Sequence, residues 1–358
     1  MKNNKAKKNK NNRYKYKLIK LITFLLFIII LFLTSRYIYI RKAPNVIISK
    51  NQYIRIYPNE TIDHLLDTLK NKKIFRSYKS FRYLALHHNL DDKLSAGCYL
   101  LKKNMNNQYL IRMFYNGWQT PINVIFSGYC RDLGQISKKL SNSFMADSAA
   151  FASALSDTLL SNSLGFDRAN YIGMFIPNTY QFYWTTSPKS VILRFNKEYK
   201  RFWNTKRTNQ AIALNLSQKE VITLASIVMG ESNYVPEQPI IASVYINRLR
   251  RHMKLQADPT IWHSIIQKDP SITRILNEHL DIDSPYNTYK YHGLPPGPIN
   301  TPSIAAIDAV LSGYTSNYLF FCARPTFDGQ HNFASSYPEH LKNARLYHKA
   351  LDERLNNE

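Results

Sequence analysis

No acidic side chain occurs before Glu60. The chain of 358 residues carries 48 Lys and Arg against 24 Asp and Glu, a formal charge of +24. Twelve of those basic residues fall in the first 45 positions, and the other 36 are spread through a body that holds all 24 acids. The charge is therefore a basic tail and a mildly basic body, not the footprint of a nucleic-acid-binding domain. Cysteine is also scarce: Cys98, Cys130 and Cys322 show no C-x-x-C pair and no metal-type spacing. A structural zinc site is not indicated, and one disulfide is left open. Long internal repeats are missing, and no low-complexity segment lies outside the tail. Apolar residues at 44% and charged residues at 20% exclude wholesale disorder.

What is present begins with an apolar run. Leu21 to Ser35 is uncharged, and Leu18 and Ile19 extend it behind Lys20. A span takes about 20 residues. Snorkelling by Lys20 and Arg36, with Tyr14, Tyr16, Tyr37 and Tyr39 alongside, makes up the length. No small-x-small cleavage site follows, since the next residues are Arg36 to Arg41. The segment reads as an uncleaved single-pass anchor. Nine basic residues before Leu21 place the N-terminus in the cytoplasm and the chain after about residue 40 outside. That topology removes nucleic acid as a partner.

The organisation reads as α+β throughout. Residues 1–17 form a basic cytoplasmic tail and 18–40 a transmembrane helix. Residues 46–117 form a small α+β module, 118–164 a connecting strand–helix region that is helical over 145–163, and 165–358 a second, larger α+β domain. The helix after Thr61 places Ile62, Leu65, Leu66 and Leu69 on one face.

The most informative local pattern is Ser217-Gln218-Lys219-Glu220, a capping box that opens the apolar run Val221 to Val228. The helix should stop near Gly230, leaving Glu231 at its C-terminus. A carboxylate there faces the negative end of the helix dipole, and burial raises its pKa further. Such a glutamic acid stays protonated near neutral pH and can give its proton to a glycosidic oxygen. Most glutamates at helix ends are simply solvated, so the neighbouring segments matter. A second helix runs from Ile240 to Met253. It is followed by Gln256-Ala257-Asp258-Pro259-Thr260, Tyr286-Asn287-Thr288-Tyr289 and the rigid loop Gly293-Leu294-Pro295-Pro296-Gly297-Pro298-Ile299.

With Ser226-Ile227-Val228-x-x-Glu231-Ser232 and Ala242-Ser243-Val244-Tyr245-Ile246-Asn247-Arg248-Leu249, these segments resemble, in order and spacing, the endolytic murein transglycosylase family (MltG, YceG-like). Ala96-Gly97-x-Tyr99 and Phe175-x-Pro177-x-Thr179-Tyr180 upstream, and Gly329-x-His331-x-Phe333 and Glu339-His340 downstream, extend the resemblance over nearly everything after residue 45. It implies that residues 46–117 are a LysM-like module and 165–358 a catalytic domain. The implied activity is cleavage of peptidoglycan glycan strands between N-acetylmuramic acid and N-acetylglucosamine, leaving 1,6-anhydro ends and limiting nascent strand length. The implied site is extracytoplasmic on the cell inner membrane, with glycan strands, the plasma membrane and cell-wall synthases as partners. The family's catalytic glutamate falls on Glu231. Three positions depart from the family pattern: Met229 replaces a second acid, and Ile172 and Asn178 stand near the Phe-x-Pro motif in place of acidic residues.

One carboxyl group suffices for that chemistry. Glu231 as acid protonates the leaving oxygen, and as carboxylate it takes the proton of the muramyl C6 hydroxyl. Gln256, Asp258, Tyr286, Asn287 and His331 are candidates for holding the sugar, although Asp258 before Pro259 also reads as a turn residue. No metal or organic cofactor is expected. Two other readings share the residues: a hydrolytic muramidase, in which water attacks, and a non-catalytic peptidoglycan-binding or division scaffold.

Overall fold

A computed structural model describes residues 2–266, 272 and 274–357, with side chains from residue 13 to 356. The basic side chains up to residue 12 thus lie outside the described residues. The chain divides into two units: residues 1–122 with 183–185, and residues 123–182 with 186–358.

The first unit starts with α1 (Lys2–Lys42), the one continuous helix among the described residues that is long and apolar enough to cross a membrane. Its apolar side chains are exposed from Leu18 to Leu33, as a lipid-facing surface requires. Strand β1 (Gln52–Ile56) pairs antiparallel with β2 (Gly97–Leu101), Ile54 opposite Tyr99. Between them lie α2 (Ile62–Asn71) and α3 (Tyr78–His87), and α4 (Asn107–Tyr115) follows. Thr61, Ser77 and Asn106 cap these three helices by accepting backbone N–H bonds. Leu65, Leu69, Phe81, Leu84, Leu110 and Phe114 meet Ile54, Ile56 and Tyr99 in one core. A buried polar knot ties α1 to this core. Asn45 Nδ2 donates to Asn107 Oδ1 at 2.7 Å, and Asn107 Nδ2 donates to the Ile40 carbonyl at 2.9 Å.

Most of β3 (Ile122–Phe126) opens the second unit and pairs with β4 (Asn178–Phe182). Between them run α5 (Leu133–Ser141), α6 (Ser148–Leu155) and α7 (Thr158–Ser163). The helical stretch expected over 145–163 is made of two helices. Asp157 turns away and accepts from Leu160 N at 3.0 Å, so it starts a new helix. Residues 123–164 belong to this unit together with 186–358. Then come α8 (Pro188–Phe202), α9 (Thr205–Ala213), α10 (Gln218–Glu231), α11 (Gln238–Arg250), α12 (Asp258–Ile266) and α13 (Ile304–Leu311). Hairpin β5 (Phe320–Ala323) and β6 (His331–Ala334) precedes the last helix, α14 (Tyr337–Asn357). The β3–β4 side is held by aromatic rings around Phe195, with Tyr180 at 4.5 Å, Phe175 at 5.1 Å and Phe126 at 5.2 Å.

Helix α10 is the axis of the unit. Its residues from Val221 to Val228 are all buried, and it packs against α11, α12 and α13. The capping box closes at both ends: Glu220 N donates to Ser217 Oγ at 3.2 Å, and Ser217 N to Glu220 Oε2 at 2.7 Å. The three cysteines are free thiols, so no disulfide crosslinks the described residues.

Candidate active site

Glu231 is the last residue of α10. The preceding Gly230 has a structural reason: a Cβ there would sit 2.7 Å from the Pro259 Cβ, so only glycine lets the start of α12 approach. That approach sets Asp258 and Pro259 beside Glu231 in the lining of a cavity of about 240 Å³. Tyr129, Arg131, Trp262, His263, Ile299 and Asn300 line the rest with Ile275.

Glu231 Oε1 accepts a 2.6 Å hydrogen bond from the Tyr245 hydroxyl on α11. Burial pushes the Glu231 carboxyl up to about 7, with the Asp258 charge adding to the rise; the Tyr245 hydrogen bond and the Arg248 charge pull the other way. Desolvation is the largest of these effects, because the surrounding protein displaces water from the carboxyl. Arg248 is held off by other work. Its Nε donates to the Leu319 carbonyl at 2.7 Å and its Nη1 to the Leu255 carbonyl at 2.8 Å.

The rigid loop is sewn to α10 at one residue. Ile299 N donates to Ser226 Oγ at 3.0 Å, and Asn300 Nδ2 donates to the Ser226 carbonyl at 2.9 Å. This leaves Asn300 Oδ1 without a partner, although the residue is only 1% exposed and lines the cavity. Met229, at the position of the missing second acid, accepts the Ser303 N–H at the start of α13 through its sulfur at 3.2 Å.

A second, larger hollow of about 650 Å³ shares Arg131 and His263 with the first and continues past Arg168 to Tyr286, Pro296 and Pro298. The His263 ring lies 4.6 Å from that of Tyr286. Burial holds His263 down at about 4, so it is neutral at physiological pH. The two hollows form a cleft walled by two arginines, aromatic rings and prolines, with one carboxyl group of raised pKa at its end.

The residues anticipated from sequence separate here. Glu231 and Asp258 share the first cavity, and Tyr286 lines the second. Asp258 Oδ1 accepts from the Tyr289 hydroxyl at 2.5 Å. Gln256 adopts a left-handed backbone, φ +49°, and donates its N–H to the Thr288 carbonyl at 3.0 Å; its Oε1 accepts from Arg248. Asn287 is 0% exposed: Nδ2 donates to the carbonyls of Leu280 and Ile282, and Oδ1 accepts from Tyr289 N and Lys290 N. His331 donates its backbone N–H to Glu237 Oε1 at 2.9 Å and sets its Nδ1 3.0 Å from Oε2. Gln256, Asn287 and His331 therefore brace the segments around the cleft and do not line it. Tyr129, Arg131, Trp262, His263 and Asn300 do line it without having been anticipated. Tyr245 stood in the sequence only within the motif from Ala242 to Leu249, with no role assigned to it.

The profile of the YceG-like family matches residues 54–346. The chain belongs to the YceG-like family. An endolytic murein transglycosylase of Bacillus subtilis is 27% identical over 317 residues, 84% of this YceG-like chain and 86% of that protein. Its counterpart in Streptococcus pneumoniae is 27% identical over 322 residues, 81% of this chain and 57% of its own length. A crystal structure of a YceG-like protein from Listeria monocytogenes superposes with a TM-score of 0.56 at 25% identity, covering 82% of this chain and 99% of that one. Among the described residues, no cluster of three or more His, Cys, Asp and Glu could hold a metal ion.

Proposed function

We propose that this chain is a membrane-anchored lytic transglycosylase acting on the glycan strands of peptidoglycan, with Glu231 as acid and then base. The observation that carries the reading is the Glu231 carboxyl, raised to about 7 and set in a cavity by Tyr245. A group titrating near the working pH serves both directions of proton transfer. The 27% identical relatives named endolytic murein transglycosylase support the substrate class.

In the first step the Glu231 proton passes to the glycosidic oxygen as the bond from muramyl C1 to that oxygen breaks. The electron pair leaves with the N-acetylglucosaminyl O4, and the muramyl N-acetyl carbonyl steadies the cationic C1. In the second step the Glu231 carboxylate takes the proton of the C6 hydroxyl, and O6 bonds to C1. The ring closes as a 1,6-anhydro end and Glu231 is protonated again. No second carboxylate is needed as nucleophile, unlike in ordinary glycosidases. Arg131 and Arg168 suit a polymer bearing lactyl and peptide carboxylates.

Helix α1 anchors the chain in the cell membrane, with the basic tail in the cytoplasm and the chain after about residue 40 outside. Residues 46–117 of the first unit serve as the LysM-like module, a reading supported by their number and their pairing of two strands with packed helices.

The test is full-length protein in detergent on uncrosslinked glycan strands, with Glu231→Gln alongside and products weighed by mass spectrometry. Anhydro ends that vanish in Glu231→Gln support the reading. Reducing ends, heavier by one water, would replace it with a hydrolytic muramidase, and cleavage that survives the substitution would remove Glu231 from the mechanism.

A further inference from the structure

The first unit holds a cavity of about 260 Å³ that the proposed reaction does not use. It lies where α1 leaves its apolar span and meets α4. Arg41 of α1, Arg112 and Gln108 of α4, and His88 at the end of α3 line it. Arg41 rests over the Tyr37 ring, 5.0 Å from its centroid, and hydrogen-bonds its hydroxyl. Neither Arg41 nor Arg112 forms an ion pair with a carboxylate among the described residues. Lys93 adds a further cation nearby, donating at 2.7 Å to the hydroxyl of Tyr115, which also lines the cavity. Burial, then the charges of Arg41, His87 and Arg112, hold His88 below its usual value. The lining thus carries two arginines and no acidic side chain, and the carboxylate charge of Asp92 acts on Lys93.

Its depth in the membrane follows from helix geometry. The uncharged run from Leu21 to Ser35 centres on Ile28. At about 1.5 Å per residue, Arg41 stands roughly 20 Å along the helix from that centre. A hydrocarbon core about 30 Å thick ends some 15 Å from the midplane, and the headgroup layer continues to about 20–22 Å. A tilt of about 20° shortens the height by only ~1 Å. The knot of Asn45, Asn107 and the Ile40 carbonyl fixes the end of α1 against α4, so the cavity keeps its place relative to the span.

We propose that this juxtamembrane cavity binds the phosphate of an anionic phospholipid headgroup between Arg41 and Arg112. The ligand chemistry is a phosphate monoanion carrying acyl chains that lie along α1, and the bound lipid holds the first unit at a set angle to the bilayer. The inference rests on α1 spanning the membrane. It does not depend on which side the units face, nor on Glu231.

The test uses full-length protein released from detergent into native mass spectrometry. It is titrated separately with phosphatidylglycerol, with diacylglycerol of the same acyl chains, and with inorganic phosphate. Arg41→Gln, Arg112→Gln and Arg112→Lys are run beside the wild type, and flotation with phosphatidylcholine vesicles reports insertion. The expected result is a phosphatidylglycerol complex weakened about five-fold by each Gln substitution and retained by Arg112→Lys, with little binding of diacylglycerol. Lipid binding unchanged in the double Gln variant, or equal binding of diacylglycerol, overturns the proposal. Inorganic phosphate bound as tightly as the lipid, with the same dependence on the arginines, also overturns it in favour of a free-phosphate site. Failure to float would instead defeat the spanning reading, which separates the two.

Discussion

The Tyr245 hydroxyl donates to Glu231 Oε1 at 2.6 Å, joining the C-terminus of α10 to the middle of α11. The bond favours the ionised carboxylate and opposes the burial that favours the acid. The Glu231 pKa near neutrality is the balance of the two. It is also why a buried tyrosine, itself raised well above its ordinary value, stands beside the carboxyl.

Tyr245→Phe keeps the ring against Phe321 and removes only the hydroxyl. A hydrogen bond to a charged group contributes about 1.5–3 kcal/mol, so the Glu231 pKa should rise by roughly one unit or more. Strand cleavage measured against pH should keep its alkaline limb to higher pH in the variant. At the optimum the rate should fall about tenfold as the carboxyl loses its orientation. An unmoved alkaline limb would mean that Tyr245 does not tune the acid.

Glu231 also carries a stability cost with a defined sign. Its folded pKa of about 7 lies above the ordinary value of 4.5, so the folded chain holds the proton more tightly. Its contribution is therefore most favourable below about pH 4.5 and is lost as pH rises towards 7. Glu231→Gln should stabilise the fold at pH 8 by about 1–3 kcal/mol relative to wild type, after discounting for partial solvation, and by little at pH 5. Thermal unfolding of both proteins at the two pH values checks this, and a gap that does not grow with pH would contradict it.

Asn300 Oδ1 is an acceptor without a donor among the described residues, on a side chain that lines the cavity and is tied by its Nδ2 to the Ser226 carbonyl. A sugar hydroxyl or acetamido N–H arriving in the cavity would complete it. Asn300→Ala should raise KM for glycan strands by about tenfold, in line with a loss of 1–1.5 kcal/mol for one hydrogen bond. The unfolding temperature should fall as well, because the buried Nδ2 bond to the Ser226 carbonyl is lost. A change confined to unfolding would make Asn300 a packing residue alone.

Asn287 should behave in the opposite way. Its side chain is fully buried and serves two carbonyls and two N–H groups of its own loop, which are themselves part-buried. Asn287→Ala should destabilise the protein by roughly 2–3 kcal/mol, since four hydrogen bonds are lost at once. Tyr286→Phe, one residue earlier in the cleft wall, should leave unfolding nearly unchanged. Comparing the two melting curves separates bracing from substrate contact within one motif.

Much of α10 was legible in advance because its signals are local. The capping box, the apolar run and the glycine before Glu231 lie within 15 residues of one another. Polar residues in the following motifs were visible as well, but their roles were not. Asn287 and Asn300 are the same residue type, and only their tertiary surroundings show that the first is saturated by its own loop while the second keeps an acceptor without a partner in the cavity wall.

The sequence by itself determined the apolar span, the capped core helix and the placing of one glutamate at its end, because periodicity, caps and hydrophobic length act over a few turns. Only the tertiary structure decided what that glutamate meets. Arg131 arrives from 100 residues upstream, Tyr245 from the next helix and Asn300 from a loop 69 residues downstream, measured along the chain from Glu231. Burial, and with it a carboxyl raised to about 7, is a property of that assembled neighbourhood, because desolvation depends on which atoms displace water and not on which residues adjoin in the chain.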